Sequence, residues 1–258
     1  MTTGIAFADV VRRDRAVVLM SIIVLTALAW IYTAYLAGNA AQMSGSMAMP
    51  NLGHWGVTDF GFMFVMWAIM MVAMMLPSAT PMILLFGRIG EKRKSKQQPF
   101  APTMTFVAGY LLVWVGFSLV ATVLNWGLHA GGQLSSMMGY TPPIIGGAIL
   151  IAAGMFQWTP LKAACLEHCR SPISFLMAHW HEGTVGAMRM GLHHGAYCLG
   201  CCWMLMALLF VLGVMNLPWI AVLTVIVLAE KALPGGIWLN RMLGGLLVIW
   251  GSWLIVIG

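Results

Sequence analysis

The sequence predicts an all-α, polytopic transmembrane helical bundle of about seven spans, and three observations carry that prediction. Hydrophobic residues fill 61% of 258 positions and charged residues only 8%, and the mean hydropathy is +0.90, well outside soluble globular composition. Apolar runs recur along the chain at lengths that cross a ~30 Å hydrocarbon core at about 1.5 Å per residue. Every Lys and Arg falls in a segment that one orientation puts on a single side of the bilayer.

The spans read at 16–37, 60–86, 103–126, 142–158, 190–215, 217–233 and 241–258, the fourth and sixth being the shortest. No segment between them is long enough for a soluble domain, so residues 1–258 form a single transmembrane domain. The first run is too long for a signal-peptide h-region and reads as a retained span. With the N-terminus cytoplasmic and the C-terminus periplasmic, the inner segments hold Arg12, Arg13, Arg15, Arg88, Lys92, Arg93, Lys94, Lys96, Lys162, Arg170, Arg189, Lys231 and Arg241, which is all 13 basic residues. This pattern fits a multi-pass membrane protein, with the lipid bilayer as its constant partner. The net charge of +6 is then a consequence of topology and calls for no nucleic acid. The cluster in "RIGEKRKSK" acts as a cytoplasmic retention signal that also meets anionic lipid.

The loops divide by chemistry. The outer loop, 38–59, carries Met43, Met47, Met49 and His54 among Gly, Ser, Asn and Pro, a flexible context. Soft sulfur with one imidazole suits Cu(I); a Met-rich loop without a ligand role has the same composition. The other outer loop, around 127–141, adds little beyond His129, Met137 and Met138. The inner basic loop is 87–102, and the inner Cys/His segment is 159–189.

The second span holds six methionines between Met63 and Met75. At about 100° per residue, Met63, Met66, Met70 and Met74 form one stripe with Trp67, flanked by Met71 and Met75. Methionine is also a pliable core filler, so the stripe is either packing or a ladder of thioether ligands. Pro77 and Pro81 in "LPSATP" are expected to interrupt this helix near its inner third. Broken helices at membrane depth face protein or a cavity.

The five cysteines are Cys165, Cys169, Cys198, Cys201 and Cys202, and none falls in an outer loop. An odd number of thiols on the reducing side or within the membrane is no disulfide framework. In "ACLEHCR", Cys165, His168 and Cys169 share a helical face while Glu167 points away. In "HHGAYCLGCCW", His194, Cys198, Cys201 and Cys202 form a second stripe. Counting inward from Arg189 puts Cys198 about 13 Å and Cys202 about 20 Å into the bilayer, overlapping the Met stripe near the midplane. A Met-to-Cys path matches Cu(I); zinc suits a Cys/His cluster but gains nothing from methionines. Packing of small thiols and a dithiol-redox role for "CLGC" are the other readings. An intramembrane imidazole favours function.

The motifs "MMVAMMLPSATPM", "CLEHCRSP", "GLHHGAYCLGCCWMLM" and "AEKALPGG" resemble a bacterial family catalogued as predicted metal-binding integral membrane proteins, of unknown function, over roughly residues 60–250. The resemblance implies a multi-span α-helical protein with a metal site, and marks Cys165, Cys169, His194, Cys198, Cys201 and Cys202. The MxxxM spacing of Met66, Met70 and Met74 is similar in ligand type to eukaryotic high-affinity copper transporters.

Of the remaining polar residues, Glu230 and Lys231 read as a structural pair, with each other or with Arg241, ahead of a gate or proton role. His179, His181 and Glu182 in "AHWHEG" lie along the inner interface, where Trp180 fits and metal hand-off is one reading. No phosphate-binding loop, nucleophile–base motif or ATPase sequence is present. The expected function is copper handling: moving Cu(I) through the bundle, or holding it for uptake or delivery to a partner cuproprotein. A metalloenzyme or a subunit of one, with the Cys/His cluster as its centre, and a structural subunit of a membrane complex are the alternatives. The sequence leaves a homo-oligomer open.

Overall fold

A computed structural model describes residues 2–45, 56–98, 101–130, 142–233 and 236–257, with side chains for all of these except 2–15, 40–45, 129, 236 and 237. Ten helices and no strand occur among the described residues. In order they are α1 (Thr2–Gly45), α2 (Val57–Ser95), α3 (Thr103–Ala130), α4 (Pro143–Phe156), α5 (Pro160–Arg170), α6 (Pro172–Ala178), α7 (Gly183–Ala207), α8 (Leu209–Leu212), α9 (Leu217–Ala232) and α10 (Gly236–Ile257).

Five stretches are long and apolar enough to cross a membrane: Ala16–Asn39, Val57–Ser95, Thr103–Leu128, Gly183–Leu212 and Trp238–Ile257. The pair α4 and α5, bent by 64° at the break between them, passes the same test only when taken together, as a broken span or a re-entrant loop. The bend is local chemistry: Pro160 cannot extend the preceding helix but suits a first turn, and Thr159 caps α5 by accepting from the Lys162 N–H. The expected sixth span corresponds to α9, only 16 residues long.

Helix α2 lies between α1 and α3, α3 packs along α7, and α7 carries α5 on its other side. Helix α9 touches α2, α5, α7 and α10, while α10 packs along α4. With no hydrophobic drive between helices in lipid, close approach of backbones has to supply the packing. A Cβ at Gly191 would meet the Phe106 carbonyl oxygen at 2.1 Å, and one at Gly109 the Met188 carbonyl oxygen at 2.4 Å. Glycine at both positions therefore lets α3 and α7 approach closely enough to bring Tyr110 onto the thiols.

Three expectations change. Helix α2 runs unbroken from Val57 to Ser95 with Pro77 and Pro81 inside it, so the prolines do not interrupt the span. Pro77 has no N–H to give the carbonyl of Ala73, and the Trp30 indole donates to that oxygen instead, at 3.1 Å. Nearby, Ser78 and Tyr110 hydroxyls donate to the Met75 carbonyl and Thr80 to that of Leu76. The Trp30 indole thus replaces the donor that Pro77 removes. Second, the segment expected as an inner loop from residue 87 begins as helix, since α2 continues to Ser95 with Lys92, Arg93 and Lys94 in its last turn, where cations suit the helix dipole. Third, α1 extends to Gly45, into the segment expected as the outer loop.

Candidate metal centre

Helix α7 turns His194, Cys198, Cys201 and Cys202 onto one buried face, each exposed by 3% or less. The spacing i, i+4, i+7, i+8 produces that face. Helix α5 crosses it at Gly200, where an added Cβ would lie 2.8 Å from Cys165 Sγ. The crossing sets the Cys169 thiol beside those of Cys198 and Cys201. Cys202 contacts the same two, so four thiols from two helices form one cluster, with Cys165 at its edge.

A polar ring surrounds the cluster. Cys198 Sγ lies 3.1 Å from the Tyr110 hydroxyl of α3, and Lys231 Nζ of α9 donates to that sulfur at 2.9 Å. Lys231 also donates to Ser78 Oγ of α2 at 2.9 Å. Cys201 and Cys202 donate to the Cys198 carbonyl at 3.1 and 2.8 Å. The thiols of α7 thus find their partners in a backbone carbonyl, the Tyr110 hydroxyl and the Lys231 ammonium, and among the described residues no three His, Cys, Asp or Glu side chains stand ready as a metal cage.

His194 is different. Its ring is stacked near Tyr110 and Phe106, with centroids at 5.7 and 6.0 Å, and meets Phe175 edge-on at 5.4 Å. Its Nδ1 is buried without a hydrogen-bond partner among the described residues. A buried polar atom of this kind is costly unless something binds it. Thiols and one unpartnered imidazole form a soft donor set.

The methionine stripe is buried throughout: Met63, Met66, Met70 and Met74 are at most 2% exposed, as are Met71 and Met75. Tyr110 joins its Met75 end to the cluster, bonding both the Met75 carbonyl and Cys198 Sγ at 3.1 Å. Met43 belongs to α1 but its side chain is outside the description, and Met47 and His54 lie outside the described residues. His168 sits next to the thiols in sequence, yet its ring stacks on Tyr197 at 4.2 Å and faces His179.

The expected pairing of Glu230 is corrected. Glu230 binds Lys162 through both carboxylate oxygens, at 2.8 and 2.9 Å, and Gln157 accepts from the same ammonium. Lys162 and Glu230 are 0% and 1% exposed. Lys231, one residue on, is thereby directed to Cys198. Sequence reasoning missed Tyr110, Ser78 and the Lys231–Cys198 contact, for which a lone polar residue in an otherwise apolar span was the available signal. Glu182 pairs with Arg93.

Residues 64–254 match the PpoB2 family, described as copper chaperone. No curated protein and no solved structure matches the chain.

Proposed function

The chain belongs to the PpoB2 copper chaperone family, and from that premise we propose that it holds Cu(I) within the bundle at Cys169, Cys198, Cys201 and Cys202 with His194, for delivery to a partner cuproprotein. The observation that carries this reading is the four-thiol cluster built from α5 and α7 beside a buried imidazole whose Nδ1 has no partner. Thiolate and imidazole are preferred ligands of cuprous copper. Loading turns the Cys201 and Cys202 thiols away from the Cys198 carbonyl and displaces the Lys231 ammonium from Cys198.

The methionine stripe feeds this centre. From Met63 to Met74 it covers about 16 Å of helix, ending where Tyr110 reaches both Met75 and Cys198. Weak, exchangeable thioether ligands along that length suit passage of a soft ion, and Met43, Met47 and His54 collect it at the outer end. In this reading α9, though it spans only ~24 Å, completes a seventh crossing. The N-terminus is then cytoplasmic and the C-terminus periplasmic in the bacterial inner membrane.

The test is a Cu(I) competition titration against a chromogenic chelator on protein held in nanodiscs. Wild type binds copper tightly, and Cys198→Ser with Cys201→Ser loses that binding while the helical spectrum is retained, since Ser is close in size but a poor soft ligand. Undiminished tight binding in the variant overturns the site.

A further inference from the structure

A second group of imidazoles lies just outside the thiol centre. His168 of α5 and His179, next to α6, both line a cavity of about 200 Å³, with Glu167, Ser171 and Ser174 on its wall. The two rings are 6.3 Å apart between centroids, and His193 approaches His179 at 5.7 Å. His168 Nδ1 is bonded to the Ala164 carbonyl at 2.9 Å and His179 Nδ1 to that of Phe175 at 3.2 Å. A carbonyl on one ring nitrogen fixes the tautomer with Nδ1 protonated and presents Nε2 as the ligand atom, the outer-shell arrangement of metal-bound histidines. Stacking on Tyr197 at 4.2 Å holds the His168 plane.

Phe175 stands between His179 and the His194 edge of the thiol centre. The buried Phe175 ring stacks on His179 at 4.9 Å and meets His194 edge-on at 5.4 Å. Phe175 has no donor atom, so an ion passing between the two groups has to move around a ring that is 2% exposed.

We propose that His168 and His179 form a second, exchangeable copper site, the docking point from which the ion leaves the thiol centre past the Phe175 gate. This rests on the reading of the thiol cluster as a Cu(I) site. Two imidazoles suffice because Cu(I) accepts linear two-coordination, so the absence of a three-donor cage among the described residues is compatible with it. Fewer and harder donors make the site weaker than the thiols, which is what a release site needs.

The experiment loads wild-type protein in nanodiscs with Cu(I) alone and records X-ray absorption at one and two equivalents. The first equivalent shows a sulfur shell; the second adds nitrogen scattering with the imidazole signature. His168→Gln with His179→Gln weakens the second equivalent at least ~10-fold and leaves the first unchanged, whereas the Cys198→Ser, Cys201→Ser protein shows the reverse. Phe175→Ala speeds loss of thiol-bound copper to an added chelator. A second equivalent bound through sulfur only, or undisturbed in the histidine variant, overturns this site and leaves the thiol reading standing. Tight binding that survives in the cysteine variant overturns the thiol reading instead.

Discussion

The Trp30 indole donates at 3.1 Å to the Ala73 carbonyl, the oxygen whose helical donor is missing because residue 77 is proline. A side chain of α1 thereby completes the backbone of α2 at the depth of the methionine stripe. In lipid no water competes for that carbonyl, so the bond both permits the proline and ties the two helices together.

Trp30→Phe therefore leaves a buried carbonyl unpaired and costs about 1–3 kcal/mol. Pro77→Ala in the same chain returns an N–H to Ala73 and recovers part of the loss. Thermal unfolding of the two single variants and the double variant gives the coupling; strictly additive effects contradict the account.

The α3–α7 seam predicts a steric result. Gly191→Ala puts a methyl 2.1 Å from the Phe106 carbonyl oxygen, so the helices separate and Tyr110 withdraws from Cys198. The cost is about 1–3 kcal/mol or more, with weakened Cu(I) binding. Gly61→Ala and Gly116→Ala, where nothing lies within 4 Å of the added Cβ, are expected to be neutral or to stabilise by up to about 1 kcal/mol. Melting curves of the three variants check this.

Glu230→Gln strands the Lys162 ammonium in a site where it is 0% exposed. Removing one partner of a buried pair costs about 3–5 kcal/mol, whereas replacing both with apolar residues is often near neutral. Lys162→Met with Glu230→Leu should thus unfold later than Glu230→Gln alone. Because Glu230 neighbours Lys231, the single variant should also weaken Cu(I) binding as α9 shifts.

Leu at Met66, Met70 and Met74 separates sulfur chemistry from side-chain volume. The three sites are buried, and such swaps usually cost under about 1.5 kcal/mol each in a packed core. The variant should express and melt nearly as wild type, bind Cu(I) at the thiols when it is supplied from the inner side, and lose labelled-copper transfer into proteoliposomes. Wild-type transfer means that the methionines only pack.

Composition and periodicity by themselves determined that this chain is all-helical, with helices long and apolar enough to cross a membrane. They also determined which residues share a helix face, because spacing along a helix is a local property: Met63, Met66, Met70 and Met74 on one stripe, His194, Cys198, Cys201 and Cys202 on another. What lies opposite each face is not local. Only the tertiary structure put Cys169 against Cys198, sent Glu230 to Lys162 and Lys231 to Cys198, turned His168 toward His179, and supplied the Trp30 donor that keeps α2 continuous through Pro77. Each of those contacts joins residues on different helices or segments, and their meeting depends on how closely two backbones approach, which glycines such as Gly191 and Gly200 set only once their partners are in place.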